Sequence, residues 1–300
     1  MTKISATQLG EIASQSFSKT KSGKIGEVIA SFQNSFYIRT LDDELVFVTN
    51  RSPGSPITVN VTSNSNFAKL ALPNSLVTLF ENELLIGEDA TICLETSRPY
   101  KDAITSLPSK LALNHKALDC LAFILGILDV TSSVLDANAI AHDETRRFAR
   151  KAGIPLMGSL DQTQFMRQTF ELVGLGTGFT PSGDDFLGGF LATWNSFAEM
   201  VGRSKILLDF ELLSHNTSWI SAKLLDYMQR ELLDSQVALA IRAALFGDEE
   251  DFVLAVETLL ARGHTSGVDM ATGIILATSL ILDIGNHTRL TENLLNRLRL

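Results

Sequence analysis

Two short segments carry the residue types that do chemistry. Ser182-Gly183-Asp184-Asp185 runs into Phe186-Leu187-Gly188-Gly189, and Ser266-Gly267-Val268-Asp269 runs into Met270-Ala271-Thr272-Gly273. Both read Ser-Gly-x-Asp-x-x-x-Gly, and both open a strongly apolar stretch. The first follows a glycine-rich loop, Gly174-Leu175-Gly176-Thr177-Gly178-Phe179-Thr180-Pro181; the second follows Gly263-His264-Thr265. A helix start offers unpaired N–H groups and the positive end of a dipole, which suits an anion such as phosphate or carboxylate. Two matched starts therefore predict two halves of one polar site. Gly176, Gly178, Thr180, Ser182 and Gly183, with Thr265, Ser266 and Gly267, are the expected substrate-binding residues. Asp184, Asp185, Asp269 and His264 are the expected catalytic ones, His264 as a donor to an anion or a carrier of a proton.

The aspartates would repel a bare phosphate at the same helix end. A divalent cation between carboxylate and anion removes that conflict, and Mg2+ is the natural choice. Adjacent helix residues point about 100° apart. Asp185 and Asp269, which align between the two copies, are thus the candidate metal ligands rather than Asp184 and Asp185. The same residues also have purely structural uses. Ser182 and Ser266 are good helix caps, and Gly188, Gly189 and Gly273 let buried helices approach closely. Thr217, Ser218 and Ser221 open a later helix and offer either further site hydroxyls or caps. His142-Asp143-Glu144, beside Arg146 and Arg147, reads as a solvated helix face. Gly-Lys-Ser/Thr, His-Glu-x-x-His and Gly-x-Ser-x-Gly patterns do not occur.

The elements that must position these residues change character along the chain. Met1–Lys24 reads as a polar N-terminal segment (1–24). Residues 25–105 read as a β-rich domain of short strands: 25–32, 35–40, 44–49, 56–61 and 89–95, separated by turn residues such as Ser52-Pro53-Gly54. Residues 106–300 read as a larger helical domain carrying the site, with a buried face over Leu118, Leu121, Ala122, Leu125 and Leu128 and a polar helix at 138–151. Further helices are expected at about 184–201, 219–233, 235–245, 249–261, 267–282 and 291–298. The fold class is α+β: an N-terminal antiparallel sheet or barrel, then an all-helical domain with two glycine-rich helix-start loops.

Composition narrows the partners. A net charge of -9 argues against a nucleic-acid backbone, which needs a basic face. Cys93 and Cys120 give no disulfide framework or cysteine metal cluster. The polar start lacks the apolar core of a signal peptide, and the apolar stretch 270–284 is short for a bilayer span. The expectation is a cytoplasmic protein with no membrane partner.

The stretch from Gly174 to Gly189, followed by Gly263-His-Thr-Ser-Gly-Val-Asp, resembles the AllH family, as does the layout of a β-rich part before a helical one. The resemblance implies association with FdrA-like and AllG-like subunits in an oxamate carbamoyltransferase of anaerobic allantoin breakdown. That enzyme links oxalurate and phosphate to oxamate and carbamoyl phosphate. Small anions of this kind suit helix starts with hydroxyls, yet neither loop contains a basic residue. Arg98, Lys101 and Arg262, or a partner subunit, are the candidates for supplying that charge. Two other readings stand beside it: a non-catalytic metabolite-binding or scaffolding subunit, and a stand-alone metal-dependent amide or ureido hydrolase.

Overall fold

A computed structural model describes residues 1–20, 22–51, 53–101, 169–246, 249–262 and 266–291. The expected helices within 109–168, the final helix at 291–298 beyond Thr291, and Gly263, His264 and Thr265 lie outside the described residues. The chain forms two compact units: Met1–Ala103 with Leu233–Ser235, and Ile104–Leu232 with Gln236–Leu300.

The first unit is a closed barrel. Its strands are β1 (Thr2–Leu9), β2 (Ser22–Ser31), β3 (Ser35–Thr40), β4 (Leu45–Thr49), β5 (Thr58–Thr62), β6 (Leu76–Phe80), β7 (Glu83–Ile86) and β8 (Ala90–Cys93), with a short β9 (Arg98–Pro99). The order β5-β4-β3-β2-β6-β7-β8-β1 closes because β1 also pairs with β5. Closure leaves few exposed edges, which is how small barrels avoid open pairing sites. Alternate residues point inward. Ile4, Ala6, Val28, Phe36, Ile38, Val46, Val48, Val59, Leu84 and Ile92 fill one core. The expected antiparallel pattern is mixed in fact: β1 runs parallel to β8 and β9, and β4 parallel to β5.

Met1–Lys24 is not a segment apart from the sheet. β1 closes the barrel, and helix α1 (Glu11–Ser18) follows it. Ile4 and Ala6 are the only buried residues of β1 before its last positions, so its outward Lys3, Ser5 and Thr7 give it a polar sequence. A second short helix, α2 (Phe67–Leu70), inserts Phe67 against Phe36, with ring centroids 5.4 Å apart.

The described helices of the second unit are α3 (Ser182–Phe197), α4 (Phe210–Asn216), α5 (Trp219–Gln229), α6 (Ser235–Phe246), α7 (Glu249–Leu260) and α8 (Ser266–Asn286). Of the α3 residues only Ser196 is not buried, and α8 is buried along most of its length. Helices apolar on every side belong at the centre of a bundle, and among the described helices α3 packs most extensively on α8. Phe186, Phe190 and Trp194 stack along α3 at successive turns, centroids 6.4 and 6.3 Å apart. The short stretch 270–284 belongs to a longer helix than expected. α8 is 21 residues and by length and composition would cross a membrane, but 78% of its apolar window is buried inside the protein. A mostly buried helix of that kind is also what a bundle core contains.

Candidate functional site

The two repeated segments meet. Thr180, two residues before α3, and Ser266, the first residue of α8, place their hydroxyl oxygens 3.1 Å apart. Beyond this point the helices cross at matched glycines. A Cβ on Gly189 would lie 2.1 Å from the Met270 carbonyl oxygen, and one on Gly273 would lie 2.1 Å from that of Phe186. Phe186 and Met270 are themselves equivalent positions of the repeat, so the contact is reciprocal: each copy buries its glycine on the backbone of the other. The helices cross at these glycines, and the Thr180–Ser266 contact brings their N-termini together. Two positive dipole ends thus converge where Thr180 meets Ser266.

The first-turn glycines serve close packing. The Gly183 amide donates to Leu175 O at 2.9 Å and the Gly267 amide to Arg262 O at 3.2 Å. A Cβ on either would strike a backbone carbonyl, Leu172 at 2.1 Å or Leu259 at 2.0 Å. These amides are engaged internally, and so are those of Asp184 and Asp185, which donate to Pro181 O at 3.0 and 3.1 Å. Ser182 does not cap α3: the cap position is Pro181, without a side-chain bond. What the site presents is therefore mainly side-chain hydroxyl and carboxylate chemistry. Gly174, Gly176 and Gly178 all have positive φ, which permits the loop to turn back toward α3.

The adjacent aspartates have different surroundings. Asp184 is 2% exposed and is saturated with donors. Its Oδ1 accepts from the Gly174 amide at 2.7 Å, and its Oδ2 from Thr217 Oγ1 at 2.5 Å and Ser221 Oγ at 2.6 Å. Burial pushes its carboxyl above the ordinary value, and the Ser221, Thr217 and Gly174 bonds pull it back. Asp184 thus ties the start of the glycine loop to the start of α5. Thr217 and Ser221 are the hydroxyls that do this, while Ser218 is a cap that accepts from the Ser221 amide at 3.2 Å. Their spacing before a helix looks like ordinary capping, so only the fold separates the three roles.

Asp185 is 8% exposed, and its Oδ2 accepts from Thr180 Oγ1 at 2.9 Å. Burial pushes its carboxyl up to about 6; the Ser266 and Thr180 hydroxyls and the charge of Arg262 pull it down, and Asp184 adds a smaller upward push. A carboxyl that titrates near neutrality is suited to exchanging protons, and such groups gather at functional sites. Arg262 is the nearby cation that the loops themselves lack. Asp269 lies in the first turn of α8, half-buried, at the position equivalent to Asp185. Among the described residues no group of three or more His, Cys, Asp or Glu side chains is placed to hold a metal ion. The partners that the structure gives Asp185 are hydroxyls. Gly176, Gly178 and Ser182 line the loop and first turn, and His264 and Thr265 lie outside the described residues.

Fold and site together define a barrel-plus-helix protein whose helical unit holds a buried carboxylate and hydroxyls between two converging, duplicated helix starts. Residues 172–278, which contain both copies, match the sequence model of the AllH family, described as oxamate carbamoyltransferase subunit AllH. The resemblance to that family holds over this segment. No curated protein and no solved structure matches the chain.

Proposed function

We propose that the chain is the subunit of an oxamate carbamoyltransferase that holds the small anionic substrate, working with FdrA-like and AllG-like partner subunits. The reaction would be the transfer of a carbamoyl group between oxalurate and phosphate, giving oxamate and carbamoyl phosphate. The observation that carries this reading is the 3.1 Å meeting of Thr180 and Ser266 over the buried Asp185, inside the segment that matches the family. Two helix dipole ends favour negative charge there, and Arg262 adds a positive one. Transfer between such anions needs positioning and charge stabilisation, which this arrangement supplies. The acidic first turns of both helices leave further positive charge to a partner, so activity is expected of the assembly rather than of the isolated chain.

The test is formation of carbamoyl phosphate from oxalurate and phosphate by the chain combined with its partner subunits, with each subunit omitted in turn. Activity that needs this chain and is lost in Asp185→Asn supports the reading. Full activity without this chain would assign it a scaffolding role. Turnover of a ureido compound by the isolated chain, abolished by a chelator and restored by Mg2+, would favour a stand-alone metal-dependent hydrolase.

A further inference from the structure

Resting on that functional reading, we propose that Thr217 and Ser221 are positioning residues of the site: through Asp184 they fix the base of the glycine loop and so hold Thr180 where the two helix starts meet. The loop is closed at its base and open at its tip. The Gly183 amide donates to Leu175 O at 2.9 Å, which brings the two ends of the loop together. Gly174 lies so close to the residues before α5 that a Cβ there would stand 2.0 Å from Asn216 O. From Gly176 to Phe179 the loop is exposed. Gly176 and Gly178, with φ of 108° and 118°, have no side chains to pack, so the tip contributes little order of its own. Order at Thr180 comes from the base of the loop and from the contacts of Thr180 with Asp185 and Ser266.

The base is held by a carboxylate whose second oxygen is spent on α5. The Gly174 amide donates to Asp184 Oδ1 at 2.7 Å. Thr217, the residue after Asn216, and Ser221, in the first turn of α5, both donate to Asp184 Oδ2. Asp184 and Ser221 are buried. Hydrogen bonds to a carboxylate shielded from water are strong and fix its orientation. The two hydroxyls thus decide which way Asp184 presents Oδ1 to the loop.

The second copy of the repeat shows what this clamp is for. Val268 stands at the position of Asp184, yet Gly267 packs on the Leu259 carbonyl as Gly183 packs on that of Leu172, and the helices cross at equivalent glycines. The helix start and the crossing form there without a carboxylate. The second copy has no glycine-rich lead-in of the same length: only residues 261–265 separate α7 from α8. Burying a carboxylate carries a desolvation cost that valine does not. The carboxylate occurs in the copy that has a loop to hold, and that loop carries Thr180 to the site.

The test has two arms. In the chain assembled with its partner subunits, Thr217→Val and Ser221→Ala are each expected to lower kcat for carbamoyl phosphate formation by about 10- to 100-fold with little change in KM, the effect of a misplacement of about 1 Å near the reacting atoms. Thr217→Ser keeps the hydroxyl and restores most of the rate. Ser218→Ala is the control: it removes the cap of the same helix and leaves kcat as in the wild type. In the full chain alone, amide hydrogen exchange over residues 174–180 quickens by about 10-fold or more in Thr217→Val and Ser221→Ala, and keeps its wild-type rate in Ser218→Ala and Thr217→Ser. Ser221→Ala keeps the test decisive if valine at 217 disturbs folding. A folded variant that keeps wild-type kcat, loses no more than Ser218→Ala, or leaves loop exchange unchanged overturns the positioning role alone. A wild-type assembly that forms no carbamoyl phosphate overturns the functional reading and the positioning role with it.

Discussion

The two copies of the helix start are alike in packing and unlike in chemistry. In both, the glycine after serine sits on a preceding carbonyl, and the later glycine sits on the other copy's backbone. In the first copy, an extra carboxylate, Asp184, takes three hydrogen bonds and anchors a positive-φ glycine loop. The second copy has Val268 in that place and brings Ser266, with Arg262 just upstream. A repeated scaffold thus fixes where two helix ends meet, and the differences between the copies decide what stands there. Asp184 ties the glycine loop to α5, and Asp185 stands where the two helix starts meet.

The comparison breaks most readily at the crossing. Gly189→Ala and Gly273→Ala each put a methyl about 2 Å from a carbonyl of the opposite helix. Each is expected to destabilise the protein by about 3 kcal/mol or more in urea unfolding. Their effects should be similar in size and less than additive together, because both force the same two backbones apart. Strongly unequal losses would count against a reciprocal contact.

The two aspartates should respond with opposite signs. Asp184→Ala leaves the Gly174 amide and two hydroxyls without their acceptor, and a loss of about 3 kcal/mol is expected. Asp185→Asn should stabilise the protein at pH 7 while lowering activity. The folded state holds the Asp185 proton more tightly than the unfolded chain, about 6 against 3.8. Its contribution to stability is therefore full below about pH 3.8 and is lost as pH rises through about 6. The asparagine variant should be more stable at neutral pH by up to about 3 kcal/mol, with a flatter pH dependence between those values. Unfolding series at pH 4 and pH 7 check this, and a variant less stable than wild type at pH 7 would contradict it. The smallest effect is expected at the cap of α5. Ser218→Ala should cost about 1 kcal/mol and leave kcat unchanged, whereas Ser221→Ala should also loosen Asp184.

The repeat was legible because its types and spacing recur, and the pairing of two helix starts into one site followed from that alone. The parts that were not legible fail for identifiable reasons. β1 has outward Lys3, Ser5 and Thr7 and few inward apolar residues, so it reads as a polar leader although it closes the barrel. The β6–β7 hairpin, Leu76–Phe80 and Glu83–Ile86, mixes exposed Leu76 and Phe80 with inward Val77, Leu79, Leu84 and Ile86, which blurs its alternation. The expected start of α3 at Asp184 lies two residues inside the helix because Pro181, rather than a serine, begins it.

The sequence by itself determined strands β2 to β5 and β8, helices α3 and α5 to α8, the duplicated helix start, the family resemblance and which side chains are capable of chemistry, because these are local patterns. Only the tertiary structure decided that Gly183 and Gly267 serve close packing, that Thr217 and Ser221 belong to Asp184, and that Thr180 bridges Asp185 to Ser266. Those assignments depend on which distant backbones approach and how far burial excludes water, and neither is written in the spacing of residues along the chain.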